Sequence, residues 1–535
     1  MADMEFDYII CGGGSAGCIL ANRLSANGRY HVALLEAGGK DDWIWFHIPV
    51  GYLFAIGNPR SDWLYRTEST PGLNGRDLAY PRGKVLGGSS AINAMIYMRG
   101  QKEDYDRWRD LGLDGWGWDD VLPVFKKHED NWRGQDPMHG LGGEWRVERP
   151  RIRWEVLDSF IAAAESADIP RSSDFNTGSN EGCGYFDVNQ KRGRRWSAAR
   201  GFLQPPLARQ NLTVLTNTLV DRVVTENGRA SGVLIRQNGV TKTIHARAEV
   251  ILSAGAVGSP AILERSGIGA GSHLCKLGIE VMQDLPGVGE NLQDHLQLRP
   301  IYKVSGVATM NMLYKSLLQR GMMGLEYAFL RRGALTMAPS QLGAFTRSSE
   351  RHKTPNLQFH IQPLSLDKFG DAMHDFPAIT VSVCNLRPDS RGSIHIRSGT
   401  AEDAPAIAPN YLSTETDRLV AAESIRCARR IMHQPAMAKY SPEEYRPGAH
   451  LETDAELANV AGDIATTIFH PVGTARMGVN GDSMAVVDKD LKVFGINALR
   501  VVDASVMPLI TSGNTNSPTI MIAEKASSVI LAAAK

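Results

Sequence analysis

The sequence has no excess of charge of either sign and few cysteines. Its 535 residues contain 58 Lys and Arg and 58 Asp and Glu, so the formal net charge is zero. A generic nucleic-acid-binding protein needs a surplus of basic residues, and the composition therefore argues against that class. The six cysteines are scattered and form no CxxC pair. We expect reduced thiols in a cytosolic protein, and we predict no bound metal.

Long apolar runs are missing as well. No stretch approaches eighteen uninterrupted apolar residues, and the amino terminus, MADMEFDYII, carries acidic residues where a secretory signal has basic ones. We predict no signal peptide and no membrane-spanning helix, hence a cytoplasmic protein. Internal repeats and low-complexity tracts are also absent. With 43% hydrophobic and 22% charged residues, a chain of this length predicts two or more globular domains that are interleaved along the sequence.

The sequence does contain a glycine-rich turn between two predicted buried strands. The stretch FDYIICGGGSAGCILANRLSANGRYHVALLEAGG predicts a strand, a turn, a helix and a second strand, the order of a dinucleotide-binding unit. Gly12, Gly14 and Gly17 occupy the GxGxxG positions, which allow the tight turn, the approach of a pyrophosphate and helix–strand packing. Glu36 ends the second strand, where its carboxylate can accept hydrogen bonds from a ribose hydroxyl. A carboxylate there disfavours a 2′-phosphate, so NADP is the least expected dinucleotide.

Two further runs of small residues follow. YPRGKVLGGSSAINAMIYMRG, residues 80–100, exposes successive backbone N–H groups, although taken alone it is also compatible with a surface turn. SAGAVGSPAILERSGIG, residues 253–269, follows a predicted strand, with Pro260 placed to open a helix. Three small-residue turns together indicate an extended cofactor that crosses much of one domain. FAD fits this expectation better than NAD does.

Three long stretches carry a resemblance to a known family. GKVLGGSSAINAMIYMRGQKEDYD and GAVGSPAILERSGIG are similar to the two signature segments of the glucose–methanol–choline (GMC) oxidoreductase family. RVVDASVMPLITSGNTNSPTIMIAEKA is similar to its closing segment, and the likeness covers nearly the whole chain. It extends to the bacterial alcohol dehydrogenases of the family and to choline dehydrogenase-like proteins. The resemblance implies an α/β protein, α+β overall, with a Rossmann-like FAD-binding domain assembled from separated segments. It also implies a substrate domain with an antiparallel sheet backed by helices.

A histidine lies in the segment TTIFHPVGTARMG, residues 466–478, in a setting typical of neither a plain helix nor a plain strand. A lone histidine is most often a hydrogen-bonded core residue. The resemblance instead implies that His470 faces the flavin and takes the hydroxyl proton while hydride leaves for flavin N5. A neutral imidazole, with an unperturbed pKa of roughly 6.5, suits a general base.

Asn514, in SGNTNSPT, matches the partner position at which family members hydrogen-bond the substrate oxygen. A turn or helix-start residue is the alternative interpretation. An amide cannot titrate, so it can orient the oxygen without competing as a base. We also expect a helix that begins at Pro518, after the candidate caps Asn516 and Ser517. Its positive end would point at the flavin and stabilise the anionic reduced form.

The resemblance implies further cofactor contacts one residue at a time, although the outlying positions are also compatible with a purely structural role. The expected cofactor contacts are Gly12, Gly14, Ser15, Ala16, Gly17, Glu36, Ala37, Val85, Gly87, Gly88, Ser90, Asn93, Ala94, Met95, Val220, Asp503, Ala504, Asn514 and Thr515. Some family members attach FAD covalently through a histidine. Ile92 occupies that position here, so noncovalent FAD is expected.

The motifs divide the chain into two interleaved domains. We expect the FAD-binding domain to comprise residues 1–155, 200–310 and 462–535, and the substrate-binding domain to comprise residues 156–199 and 311–461. In the second domain, NLQFHIQP, AITVSVCNLRP and GSIHIRS alternate apolar and polar residues as antiparallel strands do. DRLVAAESIRCARRIMHQ predicts an amphipathic helix. Such a sheet would roof the reactive face of the flavin.

The stretch MNMLYKSLLQRGMMGLEYAFLRRGALTMAP, residues 310–339, mixes methionine, leucine and aromatic residues with basic ones. Ordinary core helices are one interpretation. A flexible apolar lid is a second, because methionine fills irregular space and adapts to different ligands. A basic amphipathic surface that rests on a membrane is a third, and it would make the protein peripheral on the inner face of the membrane.

The expected function is oxidation of an alcohol to an aldehyde. We expect a primary alcohol, aliphatic or otherwise apolar, and an electron acceptor such as a quinone or an artificial acceptor rather than O2. The alternatives are a GMC-type alcohol oxidase that uses O2, an FAD-containing hydroxynitrile lyase, and a nonenzymatic or light-driven flavoprotein. Asn514 disfavours the lyase, whose members tend to carry histidine there. His470 disfavours the photodecarboxylase relatives, which lack the base.

Overall fold

The computed structural model describes residues 4–367 and 370–534, so the outermost positions of the expected first domain, 1–3 and 535, lie outside the described residues. The helices of the described residues are α1 (Ser15–Leu24), α2 (Tyr52–Ala55), α3 (Lys102–Asp110), α4 (Trp118–His128), α5 (Glu155–Ser166), α6 (Gly255–Arg265), α7 (Gly271–Lys276), α8 (Met310–Lys315), α9 (Leu317–Leu330), α10 (Glu415–Met432), α11 (Pro435–Ala438), α12 (Asp454–Ile464) and α13 (Asn516–Ala533).

The strands of the same residues are β1 (Met4–Cys11), β2 (Val32–Leu35), β3 (Glu129–Asn131), β4 (Trp145–Val147), β5 (Gly182–Tyr185), β6 (Gln190–Lys191), β7 (Arg194–Arg195), β8 (Leu212–Leu215), β9 (Thr218–Glu226), β10 (Arg229–Gln237), β11 (Val240–Leu252), β12 (Ile268–Gly269), β13 (Gln283–Asp284), β14 (Leu296–Leu298), β15 (Ile301–Lys303), β16 (Leu342–Thr346), β17 (Leu357–Gln362), β18 (Ala378–Asn385), β19 (Ser393–His395), β20 (Ala406–Ala408), β21 (Glu443–Arg446), β22 (Thr466–Thr467) and β23 (Leu499–Val501).

A mixed sheet with β1 near its centre forms the first layer. β1 pairs in parallel with β2 and with β11, β2 pairs in parallel with β8, and β11 pairs in parallel with β23. β9 and β10 continue the sheet beyond β11 as antiparallel strands. All four residues of β2 are buried, as expected of a parallel strand covered on both faces. The predicted strand, turn, helix and strand are confirmed by β1, α1 and β2.

Helices α1 and α13 contact each other and share one apolar core with this sheet. The strands contribute Ile9, Leu34, Ile251 and Val501, none of which has exposed surface. α13 adds Ile520, Met521 and Ile522 from a segment almost five hundred residues away from α1. The carboxyl-terminal helix therefore completes the apolar core around the first sheet.

Helix α6 corrects one detail of the sequence prediction. The helix begins at Gly255, so Pro260 lies inside it and does not open it. A proline has no N–H, and the carbonyl oxygen four residues earlier, that of Ala256, loses its helical donor. The hydroxyl of Thr474 donates to this oxygen at 2.7 Å. A residue of the TTIFHPVGTARMG segment thereby satisfies the carbonyl that the proline leaves free.

An antiparallel sheet forms the second layer, with strand order β21-β15-β18-β17-β16-β5 and with β14 and β22 attached. The predicted strands in NLQFHIQP and AITVSVCNLRP are confirmed as β17 and β18. GSIHIRS contains β19, which pairs with β20 in a separate two-stranded sheet. The predicted amphipathic helix is confirmed as α10, and α5, α10, α11 and α12 share a second core with the sheet.

The expected domain boundary at residue 310 does not coincide with the sheets. The expected boundaries assign β14 and β15, at residues 296–303, to the first domain, yet both strands pair within the second sheet. The short apolar stretch that contains them carries no periodicity that would distinguish one sheet from the other. The change of layer therefore falls close to residue 295.

The interpretation of residues 310–339 as core helices is wrong for α9, whereas Met310, Ala334 and Met337, towards the ends of the segment, belong to the second core. Leu318 is 73% exposed and Phe329 is 81% exposed in α9, whereas Tyr327 is buried. Within the described residues, no helix has both the length and the apolar character needed to cross a bilayer.

All six cysteines are free, and five of them are buried.

Candidate functional site

The glycines at the end of β1 form a turn in which backbone atoms of separate segments pack directly against one another. Gly12 has a φ of +114°, and a Cβ there would lie 2.5 Å from the carbonyl oxygen of Ser253. A Cβ on Gly17 would lie 1.9 Å from the carbonyl oxygen of Gly12. A Cβ on Gly88 would lie 2.7 Å from the Cα of Gly14. Only glycine fits at these positions, and the three predicted small-residue runs meet at this turn.

Two helix amino termini converge beside the glycine turn. No side chain caps the first turn of α1 or of α13. Ser15 of α1 donates its hydroxyl to the Oδ1 of Asn516 of α13 at 2.7 Å. The Asn516 Nδ2 and the Ser517 hydroxyl are buried without a hydrogen-bond partner. Free N–H groups, two helix dipoles and two orphaned donors together suit an anion such as a pyrophosphate.

The start of α13 differs from the prediction by two residues. The helix begins at Asn516, so Pro518 is its third residue and not its first. The first three N–H groups of a helix have no helical acceptor, so proline at this position breaks no hydrogen bond. The expected orientation of the helix needs no change, since its amino terminus still lies at the glycine turn.

Glu36 follows β2 and faces the same turn. Its two carboxylate oxygens accept the N–H groups of Gly13 at 2.9 Å and of Gly38 at 2.7 Å. Burial raises the pKa of this carboxyl to about 7, against the opposing effect of the two N–H bonds and of Lys84. Each oxygen keeps a second lone pair that can accept a further hydrogen bond. An acceptor of this kind at the carboxyl edge of a parallel sheet suits a ribose hydroxyl.

The other predicted cofactor residues lie around this turn or in segments that contact it. Gly87 donates its N–H to the Gly13 carbonyl at 2.8 Å. Strand β9, which carries Val220, starts beside Glu36. The Thr218 N–H donates to the Glu36 carbonyl at 2.9 Å. The remaining members are Ser15 and Ala16 in α1, Ala37 after β2, Val85 bridged to Gly39, Ser90 in the second run, Ala94 in the loop after it, and Thr515 before α13.

A buried guanidinium holds the loop that contains Asn93 and Met95. Arg195 of β7 donates to the carbonyl oxygen of Asn93 at 2.7 Å and to its Oδ1 at 3.0 Å. The same group donates to the Pro49 carbonyl at 3.3 Å. Met95 has a φ of +62°, and its N–H donates to the Asn93 Oδ1 at 2.9 Å. The loop is thus fixed by a residue that the sequence did not single out.

Asp503 anchors one segment to another through its side chain. Its carboxylate accepts hydrogen bonds from the Gly255 N–H at 2.8 Å, the Ser259 hydroxyl at 2.5 Å and the Ser505 N–H at 2.8 Å. A cofactor at this position would therefore meet the backbone of Asp503 and Ala504 and not the engaged carboxylate. The third small-residue run and the closing segment are joined by this carboxylate.

His470 and Asn514 are in direct contact, although 44 residues separate them in sequence. The Asn514 Nδ2 lies 3.0 Å from the His470 Nε2, and the Gln358 amide donates to the Asn514 Oδ1 at 3.3 Å. Because Gln358 supplies a donor to the oxygen, the nitrogen of the Asn514 amide faces the imidazole. Both side chains are nearly buried, with 7% and 8% of their surface exposed.

A second imidazole, that of His295, fixes the tautomer of the first. The His295 Nε2 lies 3.1 Å from the Leu386 carbonyl oxygen, which only accepts, so this nitrogen carries the proton. Burial lowers the pKa of His295 to about 4, so the ring is neutral and its Nδ1 is an acceptor. That atom lies 3.0 Å from the His470 Nδ1, which must donate. His470 therefore presents an unprotonated Nε2 to Asn514.

The charge state of His470 agrees with this tautomer. Burial lowers its pKa well below the ordinary 6.5, and its three basic neighbours, His295, His360 and Arg82, oppose any further positive charge there. The imidazole is thus neutral at physiological pH, with a lone pair on Nε2. A buried neutral base beside an amide donor can accept a proton from a hydroxyl group.

The backbone at Phe469 is strained so that His470 points into the site. Phe469 has a φ of +70°, in the left-handed region that non-glycine residues seldom adopt. Its N–H donates to the Thr467 hydroxyl at 2.8 Å, and its carbonyl accepts from Arg82 at 2.8 Å. Asp294 then accepts the His470 N–H at 2.8 Å. Three hydrogen bonds, to Thr467, Arg82 and Asp294, therefore hold this conformation.

The site is roofed by the polar face of the second sheet. On β17, Leu357, Phe359 and Ile361 point into the second core, so Gln358, His360 and Gln362 share the opposite face, as the period of two requires. That polar face is nevertheless buried. The Gln358 Oε1, the His360 Nε2 and the hydroxyl of Ser382 on β18 have no hydrogen-bond partner among the described residues. Buried polar groups of this kind suit a small polar ligand.

Besides Arg195 and Gln358, the sequence analysis did not single out Asp294, His295 and His360 as site residues. The DH pair at 294–295 is a visible signal, because two ionisable residues stand together in a stretch that is otherwise apolar or amide-bearing. Nothing local, however, predicts that His295 meets His470, which lies 175 residues away. His360 stands on the polar side of an alternating strand, and such residues are usually solvated.

A separate cluster of Glu264, His273 and His395 could hold a metal ion, since one ligand atom of each lies within 4.8 Å of the others. His395 lies instead between two carboxylates, 2.7 Å from Glu264 and 3.0 Å from Glu290. These carboxylates raise the pKa of His395 to about 9, against the effect of burial. The protonated ring already supplies the positive charge, so the cluster is self-neutralising.

Comparison with known proteins agrees with this fold. Family models described as GMC oxidoreductase match residues 6–297 and 388–523. The chain is 42% identical to an alcohol dehydrogenase (acceptor) of Pseudomonas putida, over 98% of this chain and 96% of that protein. It is 40% identical to the mitochondrial choline dehydrogenase of Homo sapiens, over 98% and 90%. The solved structure of an FAD-dependent oxidoreductase from Chaetomium thermophilum matches with a TM-score of 0.89 and 27% identity, over 99% of each chain.

The fold and the site define an oxidoreductase built around a dinucleotide-binding domain. The chain belongs to the GMC oxidoreductase family, which confirms the resemblance noted in its sequence.

The Glu36 carboxylate yields a test of the cofactor site. Glu36→Ala should weaken FAD binding by about 1 to 3 kcal/mol, because charge-assisted hydrogen bonds to the ligand and to the glycine turn are lost. Glu36→Gln keeps one acceptor and should lose less. Titration of the apoprotein with FAD, followed by flavin fluorescence, measures the change. Asp42→Ala, an exposed acidic control nearby, should bind FAD normally, and unchanged affinity in Glu36→Ala would contradict the assignment.

Proposed function

We propose that the protein is an FAD-dependent enzyme that oxidises an uncharged primary alcohol to the aldehyde, with His470 as general base. The observation that supports this most is the neutral Nε2 of His470, 3.0 Å from the Asn514 amide. An alcohol oxygen that enters between them can donate its proton to the imidazole and accept a hydrogen bond from the amide. Substrate activation then needs no further ionisable group.

The residues around the glycine turn fit FAD. In this proposal Gly12, Gly14 and the first turns of α1 and α13 hold the pyrophosphate, and Glu36 holds the adenosine ribose. The loop at Asn93–Met95, fixed by Arg195, flanks the isoalloxazine ring. When bound, FAD supplies a two-electron acceptor for the hydride that leaves the carbinol carbon. Ile92 offers no atom that could form a covalent bond to the flavin, so the cofactor is held noncovalently.

Proton transfer depends on the hydrogen-bonded chain behind His470. When Nε2 takes the hydroxyl proton, the ring becomes cationic while Nδ1–H still donates to His295. A positive charge in this buried place is costly, and Arg82 makes it costlier. The low basicity of His470 therefore favours prompt release of the proton after each turnover. Asn514 keeps the oxygen aligned because its amide is held by Gln358.

The charges around the site favour an uncharged substrate. The ionisable neighbours that act on His470 are all basic, and strands β16, β17 and β18 contain no Asp or Glu. The nearby carboxylate of Asp294 is already engaged by five donors, which are the hydroxyls of Tyr80, Tyr411 and Thr467 and the N–H groups of His295 and His470. A quaternary ammonium group such as that of choline would find no counter-ion among these residues. We therefore propose a neutral alcohol despite the similarity to a choline dehydrogenase.

We also propose that the electrons pass to an acceptor other than O2. The support is the similarity to an alcohol dehydrogenase named for an acceptor, over nearly the whole of both chains.

His470 should govern the rate and the pH dependence of flavin reduction. His470→Ala should leave a folded, yellow protein but slow reduction by about a hundredfold or more, since a positioned base is lost. The neutral form is active and its pKa is lowered, so the wild-type rate should persist through neutral pH and fall only well below pH 6.5. Stopped-flow reduction across pH measures both effects. A fast His470→Ala variant that keeps the wild-type pH profile would remove His470 from the mechanism.

His295 should act as a positioning residue. His295→Phe keeps a ring but removes the acceptor for the His470 Nδ1–H, so the tautomer is no longer fixed, and flavin reduction should slow by about tenfold or more. His295→Gln retains an acceptor and should recover part of the rate. Both variants should bind FAD like the wild type. Equal reduction rates in His295→Phe and the wild type would show that the tautomer is fixed in another way.

Substrate charge can be tested with two alcohols of the same shape. Choline and 3,3-dimethylbutan-1-ol differ in a single atom, a charged nitrogen in place of carbon. Because burying an unpaired cation is costly, kcat/KM for the uncharged alcohol should exceed that for choline by about tenfold or more. Steady-state rates with an artificial acceptor give the ratio. A preference for choline would overturn the proposed substrate class, but it would not bear on the assignment of His470 as the base.

The mode of flavin attachment has a direct test. Denaturation of the purified yellow protein in acid should release all of its flavin into the supernatant, because Ile92 cannot form a histidyl bond. Absorbance of the supernatant and of the washed pellet measures the two fractions. Yellow colour that stays with the precipitated chain would mean that another side chain carries a covalent bond.

A further inference from the structure

Helix α9 exposes the face that would normally be buried. Leu318, Met322, Leu325 and Phe329 follow one another at intervals of four, three and four residues, which places them on one side of the helix. Their exposed fractions are 73%, 55%, 60% and 81%. Such a stripe usually faces a core, yet here it points away from the protein. Leu317 and Leu330 extend the same apolar surface at its two ends.

Basic side chains border this surface. Arg331 and Arg332 follow the last turn of α9, and Glu326, the one acidic residue of the segment 310–339, is paired with Arg332 at 3.0 Å. The hairpin of β6 and β7 adds Lys191, Arg192 and Arg194, all exposed. It lies against the end of α9, because the Tyr327 hydroxyl donates to the Gly193 carbonyl at 3.2 Å. Positive charge is thus concentrated here although the whole chain is neutral.

We propose that α8 and α9 form a docking surface for an anionic lipid bilayer, with the apolar stripe inserted into the headgroup region and the basic border on the lipid phosphates. An apolar face bordered by Lys and Arg is the pattern that binds membrane interfaces. Neither helix could span a bilayer. A second copy of the chain is a poorer occupant, because a two-fold contact would bring the basic border of one copy against that of the other.

The position of the surface relates it to the redox site. The turn after α9, at residues 334–336, contacts the turn at residues 49–51. Arg195 joins that second turn to the predicted flavin loop, through its bonds to Pro49 and Asn93. A bilayer bound to α9 would therefore lie next to the segment that flanks the ring, where an apolar acceptor dissolved in the lipid could approach. The docking surface itself rests on exposure and charge and not on the proposed reaction.

Vesicle flotation of the holoenzyme tests the proposal. Vesicles of phosphatidylcholine with about one third phosphatidylglycerol should bind the protein at least about tenfold more strongly than phosphatidylcholine alone, since each basic residue near the surface adds attraction. Binding should weaken as salt is raised, because the phosphates are screened. Absence of binding to the anionic vesicles at low salt would overturn the proposal.

Matched variants separate the stripe from nonspecific effects. The double variant Leu318→Gln with Phe329→Gln should lose at least about tenfold in vesicle binding while it reduces its flavin with soluble alcohol at the wild-type rate. Leu141→Gln with Leu207→Gln alters two leucines that are exposed elsewhere, to 58% and 50%, and should bind normally. Arg194→Gln with Arg332→Gln should reduce the salt dependence. Equal losses in the stripe and control variants would overturn the assignment.

Sedimentation velocity without lipid tests the competing occupant. The proposal predicts the same sedimentation coefficient for the wild type and for Leu318→Gln with Phe329→Gln. A wild-type dimer that becomes monomeric in this variant would show that a second copy covers the stripe, and would overturn the proposal.

Discussion

The chemistry of the site depends on one hydrogen bond, between the Nδ1 atoms of His295 and His470. Two neutral imidazoles can share such a bond only if one ring carries its proton on the other nitrogen, and the Leu386 carbonyl decides which ring that is. As a result, the Nε2 of His470 carries no proton and is an acceptor that faces Asn514. The backbone carbonyl of Leu386 therefore selects the tautomer of His470, which lies in the distant segment TTIFHPVGTARMG.

Asp294 holds the same arrangement together. It accepts hydrogen bonds from the backbone of both histidines and from three hydroxyl groups, and the guanidinium of Arg82 also acts on its charge. The ionisable groups that shift the pKa of the His470 imidazole are basic ones, and together with burial they keep the ring unprotonated. The same lack of negative charge governs the choice of substrate. Base strength and substrate charge are thus two results of one electrostatic environment.

Much of the fold was predictable, because local patterns carry it. The glycine turn, Glu36, β17, β18 and α10 follow from periodicity and from the steric needs of glycine. The contacts between distant segments were not predictable from the pattern: His295 with His470, Arg195 with Asn93, and Thr474 with the carbonyl that Pro260 leaves free. Residues 310–339 differ from both cases. The apolar periodicity of α9 is that of an amphipathic helix, but it does not tell what covers the apolar side. Such a stripe usually faces a core, and it is exposed here because burial depends on how the whole chain packs.

The central claim is the tautomer of His470, and neutron crystallography of the deuterated protein at neutral pH tests it most directly. The arrangement described here predicts deuterium on the Nε2 of His295 and on the Nδ1 of His470, with none on the Nε2 of His470. Deuterium on the Nε2 of His470, with its Nδ1 bare, would contradict the account, because the imidazole would then face the substrate as a donor and could not act as the base.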